Sequence, residues 1–125
     1  MTLPIIVVDA ANVVGSVPDG WWRDRHGATE RLRDALAPLA ASGLAGVEGP
    51  VELLLVVEGK ARAVETIPGV RVIAAPGSGD DTIVDLVREA GPGVTVVTAD
   101  RGLRERVIAL GAEVVGPSAV PRRRR

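Results

Sequence analysis

The 125 residues contain no cysteine, which removes disulfides, thiolate metal sites and cysteine nucleophiles together. A single histidine, His26, leaves little imidazole for zinc binding or general base chemistry. Phenylalanine and tyrosine are absent and tryptophan occurs twice, so the core must be built from valine, leucine, isoleucine and alanine, as in a parallel sheet covered by helices. No apolar run reaches the roughly 18 residues of a membrane span. No basic stretch leading into an apolar one precedes the first apolar run, so secretion is not expected and a cytoplasmic location is. Any catalysis is left to carboxylates.

At this length one domain is expected, large enough to bury a core unaided. The net charge of −1 hides an asymmetry. Arg122, Arg123, Arg124 and Arg125 supply 4 of the 15 basic residues, and the body without them has 11 basic against 16 acidic residues, a balance of −5. An acidic body with a basic tail has two expected uses for the tail: sequence-blind attraction of polyanions, weakened by salt, or solubility alone.

Four runs rich in Val, Ile and Leu have strand length: Pro4 to Val8, Val51 to Val57, Val70 to Ala75 and Val94 to Thr98, with a shorter fifth at Glu113 to Val115. They are near-continuous rather than alternating, the pattern of strands covered on both faces. Helical spacing lies between them. Asp24 to Ala41 places Ala28, Leu32, Ala35, Leu36 and Leu39 on one face, with a kink or a second short helix at Pro38. Ala61 to Ile67 has room for a turn or two. Asp81 to Ala90 follows Ser78 as a capping box and stops at Gly91-Pro92. Arg101 to Leu110 ends at Gly111. Alternating strands and helices with right-handed crossovers predict an α/β fold, a three-layer α/β/α sandwich on a parallel sheet of about five strands. Residues 1–117 form the expected domain and 118–125 a basic, disordered tail.

Ligands of open α/β sheets bind beyond the carboxyl ends of the strands, where the strand order reverses. Acidic residues stand at those ends: Asp9, Glu58, Asp80 with Asp81, and Asp100, and Asp85 lies one turn beyond Asp81 on the same helix face. Each has an ordinary explanation as well. Asp100 suits an N-cap, Asp9 an Asx-turn, and Asp81 and Asp85 a solvated face opposite Ile83, Val84 and Val87, with Arg88 neutralising Asp85. Jointly, uncompensated carboxylates at one sheet edge repel unless a cation sits among them. Magnesium prefers such oxygen ligands, and a bound metal can orient a water and stabilise charge on phosphorus.

Ile5-Ile6-Val7-Val8-Asp9-Ala10-Ala11-Asn12-Val13-Val14 resembles the opening strand and Asp-x-x-Asn loop of NYN-domain proteins, the YacP-like branch of the PIN-like nucleases. Gly79-Asp80-Asp81-Thr82-Ile83-Val84-Asp85 is similar to that family's acidic helix start, and Val96-Val97-Thr98-Ala99-Asp100-Arg101 to its strand-terminal Thr/Ser-x-Asp. The resemblance spans residues 4 to 116. It implies sheet order 3-2-1-4-5 and a ribonuclease in which Asp9, Asp81, Asp85 and Asp100 hold Mg²⁺ or Mn²⁺, Asn12 orients the cluster, and Thr98 supports it by hydrogen bonding. Two features depart from the pattern. Ala10-Ala11 stand where a Gly-aromatic pair is frequent, and the Asp80-Asp81 doublet offers two registers. Asp81 is preferred because it pairs with Asp85, leaving Asp80 to start the helix.

Near the expected site, Trp21 and Trp22 can stack bases or form an apolar lid or dimer contact, and Arg23, Arg25 and His26 can hold phosphate or begin a solvated helix. Arg101 and Arg104 are placed for phosphate or for surface salt bridges. Thr98, Arg101, Arg104, Trp22 and Arg23 are therefore the expected substrate-binding residues. Glu58 and Lys60 are candidates for the cleft's edge. Gly77-Ser78-Gly79 lacks the length and lysine of a P-loop and is expected to be a tight turn. The leading expectation is a metal-dependent ribonuclease acting on single-stranded RNA, with a homodimer as a further expectation. Hydrolysis of a small nucleotide and a non-catalytic RNA- or partner-binding module are the alternatives. A response-regulator receiver is disfavoured, because no acidic pair ends the first strand and no lysine the fifth.

Overall fold

The computed structural model describes residues 2–121. In chain order these form β1 (Ile5–Asp9), α1 (Ala10–Gly15), a 3-10 turn (Trp21–Arg23), α2 (Arg25–Leu36), α3 (Leu39–Ser42), β2 (Gly43–Leu44), β3 (Val47–Glu48) and β4 (Glu52–Val57). A second 3-10 turn (Gly59–Ala61) precedes β5 (Val70–Ala74), α4 (Gly79–Ala90), β6 (Thr95–Val97), α5 (Arg101–Ile108), β7 (Glu113–Val115) and a last 3-10 turn (Pro117–Ala119).

Five of the strands make one parallel sheet in the order β5-β4-β1-β6-β7. Counting those five alone, this is the expected 3-2-1-4-5. The continuous apolar runs serve two faces because successive strand side chains point to opposite sides. Ile6, Val8, Leu53, Leu55 and Val57 pack with Val13, Leu32 and Leu36 from α1 and α2. Val7, Leu54 and Val56 pack on the other face with Ile83, Val87, Leu103 and Val107 from α4 and α5. The edge strand β5 departs from the expectation of full cover, leaving Arg71 and Ala74 exposed. The chain leaves β1 towards β4 and β5 and returns to its other side at β6, so the order reverses between β1 and β6. That reversal opens the crevice in which ligands of such sheets are held.

Helix ends follow local chemistry. The Asp24 carboxylate accepts from Gly27 N at 2.9 Å and starts α2, which stops at Leu36 before Pro38. Beyond α5, Gly111 has φ +91°, a left-handed turn that glycine enters without a Cβ penalty. Three features went unpredicted. Ala10–Gly15 is helical where a loop was expected. Gly43–Leu44 and Val47–Glu48 form a small antiparallel hairpin, whose two-residue strands carry no readable alternation. The body also continues past residue 117, because Pro117–Ala119 forms a turn and Val120 is buried against the α1–α2 core. Residues 118–120, assigned to the tail from the sequence, thus pack with the body. Arg122 to Arg125, on which the basic-tail expectation rests, lie outside the described residues. Among the described residues no helix is long and apolar enough to cross a membrane.

Candidate active site

Asp9 ends β1 and is 5% exposed. Its Oδ2 accepts a hydrogen bond from the Thr98 hydroxyl at 2.9 Å, and its Oδ1 accepts from Asn12 N at 3.4 Å, capping α1. Thr98, fully buried beyond β6, also accepts from Asp100 N at 3.1 Å. The Asn12 side chain closes the circuit, its Oδ1 accepting from Ala99 N at 2.8 Å. The ends of two adjacent strands are thus tied through Asp9, Asn12, Thr98 and the backbone of residues 99–100. Asp100 itself is exposed and caps α5, accepting from Leu103 N at 2.9 Å. The carboxylate of Glu58, just past β4, accepts from Gly79 N at 3.1 Å. A Cβ at Gly79 would press on that carboxylate, so this glycine permits the close approach of Glu58.

Burial is the main cause that pushes Asp9 up from 3.8 to about 6, and the negative charges of Asp80 and Glu58 add to it, opposed by the Thr98 and Asn12 hydrogen bonds. Asp80 is raised as well, first by partial burial and then by Asp100, Glu58 and Asp81, with Arg106 opposing. The acidic group at the crevice is therefore Asp9, Glu58, Asp80 and Asp100.

Asp81 and Asp85, preferred from the sequence, are each engaged by an arginine. Asp81 Oδ1 lies 3.1 Å from Arg106 of α5, and Asp85 Oδ1 lies 3.3 Å from Arg88, both at exposed positions. The Asp85–Arg88 pair was expected. The physical reason is where the helix begins. Ser78 accepts from Asp80 N, so α4 starts at Gly79, and each residue turns the side-chain direction by about 100°. Asp80 faces the crevice, and Asp81 with Asp85 faces α5 and solvent. Glu58 was placed among the strand-end acids and at the cleft's edge but not among the site residues. Its signal was its place just after the strand adjacent to β1 once the sheet order is drawn.

Arg101 and Arg104 are exposed on the first turn of α5 beside Asp100. Trp22 is 54% exposed with the Arg23 guanidinium 5.7 Å from its ring centre. Trp21 is half-buried, meets Trp22 edge to face at 5.9 Å, and carries the Arg25 guanidinium 5.3 Å from its ring centre. Trp21, Arg25, Ala11 and Glu58 help line a cleft of about 210 Å³ that Trp22 and Arg23 do not reach.

The donor set suits a hard cation, being all oxygen and mutually repelling. Among the described residues no three acidic or histidine side chains stand together closely enough to hold a metal ion. A protein cage is thus absent, whereas magnesium ordinarily takes one or two carboxylates, several waters and substrate phosphate. One or two of these carboxylates could serve magnesium in that way.

No protein-family model matches the chain, and no curated protein does. Solved structures do. Rae1 (YacP) from Bacillus subtilis superposes with a TM-score of 0.76 at 17% identity, covering 94% of this chain and 71% of that one. The chain has the α/β fold of Rae1. A tryptophan-to-leucine variant of Rae1 gives a TM-score of 0.71, again at 17% identity, over 94% of this chain and 72% of the other. At that identity the likeness to Rae1 is one of fold, and the site's chemistry rests on this chain's own residues.

Proposed function

We propose that the chain is a metal-dependent ribonuclease that cuts phosphodiester bonds of single-stranded RNA at Asp9, Asp80 and Asp100, with Glu58 beside them. One observation carries this reading. Carboxylates from four separate segments lie at the carboxyl edge of the sheet near enough to act electrostatically, and two of them, Asp9 and Asp80, are raised partly by their neighbours' charge. Repulsion of that kind is relieved by a bound cation. Bound Mg²⁺ or Mn²⁺ would supply Lewis acidity towards the phosphate and an ionisable water.

The residues divide the remaining work. One or two of Asp9, Asp80 and Asp100 would hold the cation, with waters and substrate phosphate completing its shell. Thr98 fixes the Asp9 carboxylate through its hydroxyl, and Asn12 fixes the backbone that presents Asp100. Arg101 and Arg104 supply positive charge beside Asp100 for RNA phosphates, and exposed Trp22 and Arg23 offer contacts further along the strand. That no three acidic side chains stand together among the described residues favours a second reading, a non-catalytic RNA-binding module on the same fold.

Purified protein is incubated with single-stranded RNA, and separately with nucleoside triphosphates, in Mg²⁺, Mn²⁺ or EDTA, beside an Asp9→Asn, Asp100→Asn double variant. Cleavage of RNA by the wild type alone, abolished by EDTA, is expected. RNA that binds but stays intact supports the second reading, and turnover of triphosphates alone moves the substrate to small nucleotides. Asp80→Asn is expected to lower the rate at least about a hundredfold, because even groups that only orient a metal ligand contribute about ten- to a hundredfold. Asp81→Asn is expected to leave it within about twofold, an exposed ion pair contributing little.

A further inference from the structure

Beside the acidic group lies the cleft of about 210 Å³ walled by α1, α2 and the loop after β4. Its α1 wall is small and apolar, Ala10 and Ala11. The indole of Trp21, with the Arg25 guanidinium over its ring, also lines the cleft, and Glu58 and Thr29 supply polar atoms. The Thr29 hydroxyl donates to Arg25 O at 2.8 Å, leaving its oxygen to accept. Glu58 borders both this cleft and the acidic group, since its charge acts on Asp9 and Asp80.

We propose that this cleft is a subsite for one unpaired nucleobase next to the cut phosphate, and that it prefers guanine. The inference rests on RNA being the substrate. The volume lies below the roughly 300 Å³ at which pockets for drug-sized ligands begin, which suits a single ring system. Unpaired RNA bases are held by stacking on aromatic rings and guanidinium planes and by hydrogen bonds to their Watson–Crick edges. The guanine edge presents two adjacent N–H donors and one carbonyl oxygen. A carboxylate accepts from both donors and an arginine donates to the carbonyl, and Glu58 and Arg25 are that pair. Uracil and cytosine offer a smaller stacking face, and adenine presents a single amino group beside an acceptor.

The test titrates the purified full chain with GMP, AMP, CMP and UMP in EDTA. The readouts are the indole N–H resonances of Trp21 and Trp22 and the intrinsic fluorescence. All four ligands carry the same phosphate, so differences among them report the base. GMP is expected to bind tightest and to move the Trp21 resonance more than that of Trp22. Ala11→Leu, which fills the cleft from an exposed helix position, is expected to weaken GMP binding about tenfold, within what stacking of one base contributes. Glu58→Gln is expected to remove the preference for GMP while stacking persists. Equal binding of the four nucleotides, or GMP binding indifferent to Ala11→Leu, overturns the subsite. RNA cleavage measured in parallel separates the two readings. A nuclease without these GMP effects loses the subsite alone, and GMP selectivity without cleavage keeps the subsite and removes the nuclease.

Discussion

Asp9 follows apolar strand residues and is buried with them, so its charge is tolerated only through the Thr98 and Asn12 hydrogen bonds. A carboxylate whose folded pKa is raised destabilises the fold where it is ionised. With values of 3.8 unfolded and about 6 folded, stability is unaffected by this group below pH 3.8, falls as pH rises through 6, and is level above. The shift corresponds to roughly 3 kcal/mol at most. In metal-free buffer Asp9→Asn is therefore expected to be more stable than wild type at pH 7.5, by up to about that amount, with the difference vanishing near pH 4. Urea unfolding at the two pH values checks it, and a pH-independent difference would contradict the burial argument.

Six residues are too few for a helix to persist alone, so α1 depends on its anchors. Asp9 caps its start, and Asn12 joins it to the loop after β6. Asn12→Ala is expected to cost about 1 kcal/mol, the ordinary contribution of one hydrogen bond. It is also expected to lower activity about tenfold by releasing the segment that presents Asp100, the scale of loss when a group orienting a ligand is removed. Denaturation and cleavage assays on the same preparation check both, and unchanged cleavage with lowered stability would make the bond purely structural. The element α4 shows why such anchors were hard to read. The doublet Asp80-Asp81 was legible as acidic, but which member faces the crevice depends on the Ser78 hydrogen bond that sets the helix start. A difference of one residue there is a difference of face.

Across the whole molecule, segments far apart in sequence bring their carboxylates to one edge, and the repulsion among them is part of the cost of folding. A cation bound there stabilises the fold by mass action, about 1.4 kcal/mol at ten times its dissociation constant. Mg²⁺ or Mn²⁺ is accordingly expected to raise the melting temperature of the wild type and not that of the Asp9→Asn, Asp100→Asn double variant. A calorimetric scan with and without metal measures this, and equal responses would remove the cation from the site.

The five-stranded parallel sheet, its main helices and the carboxyl-edge positions of Asp9 and Asp100 were legible in the sequence, because strand-length apolar runs must be buried on both faces and their ends fall at one edge. It took the packed structure to show that the charges of Asp80 and Glu58 act on Asp9 while Asp81 and Asp85 pair with arginines, and that Trp21 rather than Trp22 lines the cleft. These choices depend on the rotation of a helix about its axis and on contacts between segments remote in sequence, such as Glu58 with Gly79. Local pattern carries the period of a helix but not its final phase against the sheet, which packing and caps set together.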